Sequence, residues 1–442
     1  MTHPSSFKKK VRARMRKTGE RYAAARLALL SASSSKPSSS SELAGYTFTP
    51  GVHSYSARLQ AVLAQNGVLD PATGISFDER KLFALGGGIG FMYFLFEYQG
   101  HAPMMTFVCQ AWSLPWPLVE RALTFAGIQA YLSETGSTKK AQAALDVAME
   151  NGKAAYLVLD AASLPWTGAD PVWRGQMPHP VNVLRKEGMR YLIDDGAAYW
   201  LEESELAAAR AAVKKQKHRL LTFEKGRAAS DPALAMKQAI AFTARNYVES
   251  PVKGFAGNFG LKGLEKMAAL MSGTKDKKSW SRVFSSGENI SSGELAFKAL
   301  LRTWECATLD FTAPAGGRPY YAAFLEEAAS LTALDSLNES AATCHESGLL
   351  FEQLADSALA LGGEVLEKAK EFTLDIDEVR LAGSDDAGEQ VRALKGERDA
   401  LAADLDLDEN ARSSAFAELG ALVTRIAQVE TRLANSLSAA IA

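Results

Sequence analysis

The chain has 442 residues, 47% of them hydrophobic and 23% charged, with a formal net charge of −2. This length calls for two or three domains, and the balance is that of a globular protein. The near-zero net charge excludes the strong whole-molecule field that drives nucleic-acid binding. Cys109, Cys306 and Cys344 are far apart and form no CxxC pair, which argues against a disulfide framework or zinc site and fits a reducing cytoplasm.

In chain order, residues 7–30 read as a basic helical arm, with nine Lys or Arg between positions 8 and 26 against one Glu. Such a run either docks an acidic partner or is simply a solvated face. The Ser-rich linker at 31–44 follows. A basic start that runs into serines rather than a clean apolar core is not a secretory signal. The most apolar stretch, "LFALGGGIGFMYFLF" at 82–96, is shorter than the ~20 residues that span a membrane. The expectation is a soluble cytoplasmic protein.

From 45 to about 228 the pattern is mixed. A helix is expected from Ser54 to about Gln65, ending at Gly67. Short apolar runs at 102–108 and 154–161 read as buried strands. "HPVNVLRKEGMRYLIDDG" at 179–196 reads as a hairpin turning at Lys186–Gly188, followed by a helix opening at Ser204. Beyond about 230 the pattern is helical throughout, with a companion block at 229–372 and a helical pair at 373–442.

The glycines of "LGGGIGF" at 85–91 do not fit GxGxxG, because Phe91 stands where the last glycine belongs, and no Lys-Ser or Lys-Thr follows. No nucleotide cofactor, and no other cofactor or metal, is expected. The glycines allow a sharp turn or close backbone approach, and Gly87, Gly88, Phe91, Tyr93 and Trp166 could line a pocket wall or pack as core.

Ser54 at a helix mouth is either an N-cap or a nucleophile. A helix N-terminus offers N–H donors for an oxyanion, and a serine needs a base, usually His held by a carboxylate. His179 begins one strand of the hairpin, and Asp194 and Asp195 end its partner, so cross-strand pairing brings a His and a carboxylate together. Nucleophile on a helix, then His, then Asp on paired strands is the chain order of papain-like cysteine enzymes.

At these residues the sequence resembles the butirosin biosynthesis protein H family. The resemblance rests on "GVHSYSARLQAVLAQNGV" (51–68), "FDERKLFALGGGIGFMYF" (77–94), "AAYLVLDAASLPW" (154–166) and 179–196, with "GNFGLKGLEKMAALM" (257–271) and "GGRPYYAAFLEEAA" (316–329) further on. It implies an α+β architecture: a papain-like domain at 45–228 followed by an all-α domain. It also implies an acyltransferase of specialised metabolism that moves an acyl or aminoacyl group from an acyl-carrier-protein thioester to an amine. On that resemblance Ser54, His179 and Asp195 are the catalytic residues, with Asp194 the alternative to Asp195. His53, Gly87, Gly88, Phe91 and Trp166 are the expected substrate-binding positions of a pocket beside them. The family's nucleophile is a Cys after a His, and here the pair reads His53–Ser54. The chain is therefore a serine variant, a catalyst that positions its substrates, or an inactive relative that binds. An amidase is a further alternative. Neither a membrane nor nucleic acid is an expected partner, and self-association is left open.

Overall fold

The computed structural model describes residues 45–48, 50–97, 102–111, 116–285, 290–309 and 314–442, together with Lys10, Val11, Ala13, Arg14, Lys17, Ala25 and Leu29. The expected linker at 31–44 and most of the basic arm at 1–30 lie outside the described residues. The fold is mixed α/β, a sheet-bearing part followed by helices. Among the described residues no helix is long and apolar enough to cross a membrane.

The chain forms two compact units that interleave in sequence. The first takes residues 1–86, 114–232 and 374–395, and the second takes 87–113, 233–373 and 396–442. Their boundaries cut across the sequence-based blocks: part of the expected C-terminal pair belongs with the α/β unit.

In the first unit, helix α1 (Ser54–Gln65) and helix α2 (Glu79–Leu85) precede the sheet. The six strands are β1 (Ala130–Ser133), β2 (Ala155–Asp160), β3 (Pro178–Glu187), β4 (Arg190–Asp194), β5 (Ala198–Glu202) and β6 (Leu220–Phe223). Their spatial order is β1-β6-β2-β3-β4-β5, with antiparallel pairing between neighbours. β2 is apolar at every position but its last and buried throughout, as a central strand covered on both faces requires. The β3–β4 hairpin turns at Gly188, whose φ of +60° lies where glycine is favoured. Leu157, Leu159, Val181, Val183, Tyr191, Ile193 and Leu201 project from one face into a core shared with helix α3 (Thr138–Glu150) and helix α4 (Glu203–Ala212). Helix α4 opens one residue before the expected Ser204. Glu202 and Glu205 form a reciprocal capping box, so a carboxylate rather than a hydroxyl supplies the cap.

The same core takes in Ile376 and Val379 from helix α5 (Gly363–Ala382) and Ala387 and Val391 from helix α6 (Ala387–Ala400). Residues 374–395 thus pack as a helical hairpin on the sheet.

The second unit joins a two-stranded antiparallel ribbon, Ile89–Phe96 with Met104–Gln110, to helices drawn from residues 233–373 and 396–442. Its hub is Arg318, fully buried, which grips Glu430 through Nε and Nη2 at 3.0 Å each. It also donates to the carbonyls of Cys109, Gly90 and Gly316. A guanidinium buried at this depth is tolerated because its donors are matched and its charge is paired.

Candidate functional site

Ser54 is the first helical residue of α1 and is exposed. The cap is the residue before it. His53 has extended backbone and its ring accepts from the Ser56 N–H, with Nδ1 3.4 Å from that nitrogen and 2.8 Å from Ser56 Oγ. Thus neither Ser54 nor Ser56 caps the helix. His53 is 1% exposed, edge-on to Phe83 and Tyr55, so its ring faces inward.

Glu79, the first residue of α2, fixes the entry to this helix. Its Oε1 accepts from the N–H groups of Val52 at 3.0 Å and His53 at 2.7 Å. Burial pushes the Glu79 carboxyl up to about 7, against the pull of those two N–H donors and of Arg58.

Arg58 stands one turn after Ser54, and residues four apart share a helix face. Its Nη1 lies 2.5 Å from Asp194 Oδ1, both groups being buried. The Tyr46 hydroxyl donates to the other Asp194 oxygen, Oδ2. Asn182 Nδ2 donates to the Tyr46 hydroxyl at 2.8 Å and to the Arg58 carbonyl at 2.7 Å. Gly196 N–H returns to Asp194 Oδ1 at 2.9 Å. Burial raises the Asp194 carboxyl, with the neighbouring Asp195 charge adding to it and Arg58 opposing. The network pins α1 to the end of β4. It also occupies the Tyr46 hydroxyl.

Asp195 points elsewhere. Its Oδ1 lies 2.6 Å from His179 Nε2, across 16 residues of hairpin, and its Oδ2 accepts from Trp166 Nε1 at 2.7 Å. The positive φ of Gly196, +85°, and the bond from Asp195 N–H to the Ala197 carbonyl turn the chain here. Burial alone would raise the Asp195 carboxyl; His179 and the Trp166 donor, with Arg58 behind them, hold it below the usual aspartate value. The His179 side chain is 28% exposed and Asp195 13%, so the imidazole is reachable from solvent while its carboxylate is sheltered. With Nε2 engaged, Nδ1 is the ring nitrogen left for proton transfer.

Asp194 and Asp195 therefore divide the labour: one holds α1, the other holds His179. Trp166 is a donor to the carboxylate and is stacked on Tyr199, with ring centroids 4.3 Å apart. It sits within the core rather than on an open wall.

Gly87, Gly88 and Phe91 fall in the second unit. Gly87 and Gly88 have φ of +118° and +57°, and their carbonyls accept from Thr243 Oγ1 and Ala111 N–H. Phe91 is 2% exposed and stacked on Phe107. Tyr93 is buried and accepts from Trp280 Nε1 at 2.9 Å. These residues make a glycine turn and a packed ribbon.

The three cysteines are buried. Burial pushes the Cys109 thiol up to about 12 and the Cys344 thiol higher still, so neither is poised as a thiolate. Among the described residues no group of three or more His, Cys, Asp or Glu side chains could hold a metal ion.

Sequence reasoning passed over Arg58, Asn182 and Glu79. The signal available for Arg58 was the lone charge in "YSARLQAVLA", on a helix that buries nearly every side. No curated protein matches the chain. Residues 53–196 match the family model described as Butirosin biosynthesis protein H, N-terminal, a stretch that opens on the His53–Ser54 pair and closes on Asp195–Gly196, and the resemblance read from the sequence is thereby shown for the segment that carries this site.

Proposed function

We propose that the protein is a papain-like acyltransferase of specialised metabolism in which Ser54 takes the place of the family's cysteine. The observation that carries this reading is the His179 Nε2–Asp195 Oδ1 bond of 2.6 Å, at the end of the strand to which Arg58 ties the Ser54 helix. Imidazole oriented by a sheltered carboxylate is the arrangement that lets a hydroxyl act as a nucleophile.

In this mechanism His179 Nδ1 accepts the Ser54 hydroxyl proton as Oγ attacks the carbonyl carbon of an acyl thioester. The oxyanion is met by the N–H groups of Ser54 and Tyr55 at the helix mouth. They are suited to this because Ser56 N–H is directed to the His53 ring and Ala57 N–H to the His53 carbonyl. The first turn carries no acidic side chain of its own, and the Glu79 carboxyl is engaged by the Val52 and His53 N–H groups rather than by those of Ser54 and Tyr55. The C–S bond breaks, the thiolate leaves with the proton from His179, and Ser54 carries the acyl group as an ester. An amine then attacks that ester, His179 takes the amine proton, and the amide leaves as the Ser54 alkoxide regains a proton. The donor is a carrier-protein or simpler thioester, and the acceptor an amine.

A second reading is favoured by one fact: a hydroxyl stands where the family keeps a thiol. A site shaped around a thiolate loses most of its rate with serine, and the protein would then bind an acyl group without transferring it.

Intact mass after incubation with acyl-thioester donors separates the two. An acyl adduct in the wild type that is absent from Ser54→Ala and His179→Ala supports the transferase. A bare wild type beside an acylated Ser54→Cys supports the binding module. Release of free acid without an amine acceptor would indicate an amidase.

A further inference from the structure

Trp166 is held in place by a part of the chain about two hundred residues downstream. Its loop carries three carbonyls that meet the 374–395 hairpin. Arg380 Nη2 donates to the Thr167 carbonyl at 2.8 Å, and Lys395 Nζ donates to the Gly168 carbonyl at 2.9 Å. The Pro165 carbonyl faces Gly388 so closely that a Cβ there would lie 1.8 Å from its oxygen. The indole is stacked on Tyr199, whose hydroxyl donates to the Arg380 carbonyl.

The hairpin also reaches the chain that follows Asp195. A Cβ on Gly196 would meet Leu381 at 3.3 Å, and one on Gly383, at φ +66°, would meet the Ala198 carbonyl at 3.1 Å. One helical hairpin thus backs both partners of the Trp166–Asp195 bond, and it does so through close approaches that only glycine permits.

We propose that residues 374–395 form a positioning clamp for the His179–Asp195 pair, acting through Trp166 and the 195–198 turn. The clamp sets the direction of the Asp195 carboxylate, and through it the orientation of the His179 ring. Its catalytic consequence rests on the reading of His179 as the base; its structural consequence does not. Supporting groups that orient a reacting side chain are worth large rate factors when they shift it by about an ångström.

The test is proton NMR of the full-length protein, following the His179 ring N–H bonded to Asp195 and the Trp166 indole N–H. Trp166→Phe serves as the reference variant that deletes the donor. Gly388→Ala and Arg380→Ala are compared with wild type, each checked for cooperative unfolding and observed well below its midpoint. The expected result is that both resonances move or broaden in Arg380→Ala and Gly388→Ala, as the His179 resonance does in Trp166→Phe, and that Ser54 acylation slows about 10–100-fold. Both resonances at wild-type positions in a folded Gly388→Ala would overturn the clamp. If Gly388→Ala does not fold, unchanged resonances in Arg380→Ala overturn it. Should no variant, wild type included, take up an acyl group, the transferase reading fails while the two resonances still decide the clamp.

Discussion

The His53 imidazole, and not the Ser54 hydroxyl, caps helix α1: the Ser56 N–H points to His53 Nδ1, and Ser54 is left exposed at the first helical position. A serine relieved of the capping role is free for another. The expectation is that Ser54→Ala changes stability by no more than about 0.5 kcal/mol, the range of surface substitutions. His53→Ala should cost roughly 1–3 kcal/mol, from a lost cap and a small cavity beside Phe83. Urea unfolding of both variants measures this. Equal losses would return Ser54 to the role of a cap.

Arg58 and Asp194 form a buried ion pair in which Asp194 also accepts from the Tyr46 hydroxyl and the Gly196 N–H, and Arg58 Nη2 donates to the Pro50 carbonyl. Removing one charge strands the other. Arg58→Met should lose about 3–5 kcal/mol, whereas Tyr46→Phe, which deletes one hydroxyl, should lose about 1–2 kcal/mol. The double variant Arg58→Met with Asp194→Leu should be more stable than Arg58→Met alone, since no unpaired carboxylate is left. A double variant less stable than the single would show that the pair contributes more than its charges.

Glu79 and Asp195 titrate with opposite signs. Glu79 is raised from the ordinary 4.5 to about 7, so between those values the folded protein binds more protons than the unfolded chain, and stability falls as pH rises through that window. Asp195 is lowered. Its contribution is present above the ordinary 3.8 and is lost only as pH falls through its depressed value, which lies below the Glu79 window. Replacing Glu79 by Gln keeps an oxygen for the Val52 and His53 N–H groups while removing the titration. Glu79→Gln should flatten the stability profile between pH 4.5 and 7 by at most about 3 kcal/mol. Thermal unfolding across that range would expose the error if the two profiles ran parallel.

What could be read in the sequence was what is local or periodic. The α1 helix has the expected bounds, and the hairpin turns at the expected glycine, although its register shifts by one residue between Val183 and Arg185. Asn182, not His179, lies opposite Asp194, so the turn after β4, and not strand pairing alone, brings Asp195 to His179. The Asp194–Arg58 and Asp195–Trp166 partnerships were hidden, since they join elements 136 and 29 residues apart and no spacing rule encodes such pairs. The 374–395 hairpin was hidden for the same reason. Its amphipathic pattern announces that it buries a face and is silent on which core receives it. The glycine run, read as a pocket wall, is a turn whose carbonyls are bonded within the second unit.

The buried thiols supply a background against which the Ser54 position can be probed directly. Cys109 and Cys344 are held protonated by burial, and Cys306 is also buried, so native wild-type protein should resist alkylation by iodoacetamide at neutral pH. Ser54→Cys places one exposed thiol at a helix N-terminus on the helix tied to the His179–Asp195 strand pair. An ordinary thiol, with a pKa near 8.5, is only a few per cent ionised at pH 7; lowering it to about 7 makes it half ionised, which raises the thiolate fraction roughly tenfold. The Ser54→Cys protein should therefore be alkylated about tenfold faster than a free cysteine of ordinary pKa. Adding His179→Ala should remove most of that gain, because the thiol loses the imidazole that takes its proton. Peptide mass mapping after timed labelling reads both rates. A His179→Ala background that leaves the rate untouched would place the imidazole out of reach of position 54, and the transferase reading would then lose its base.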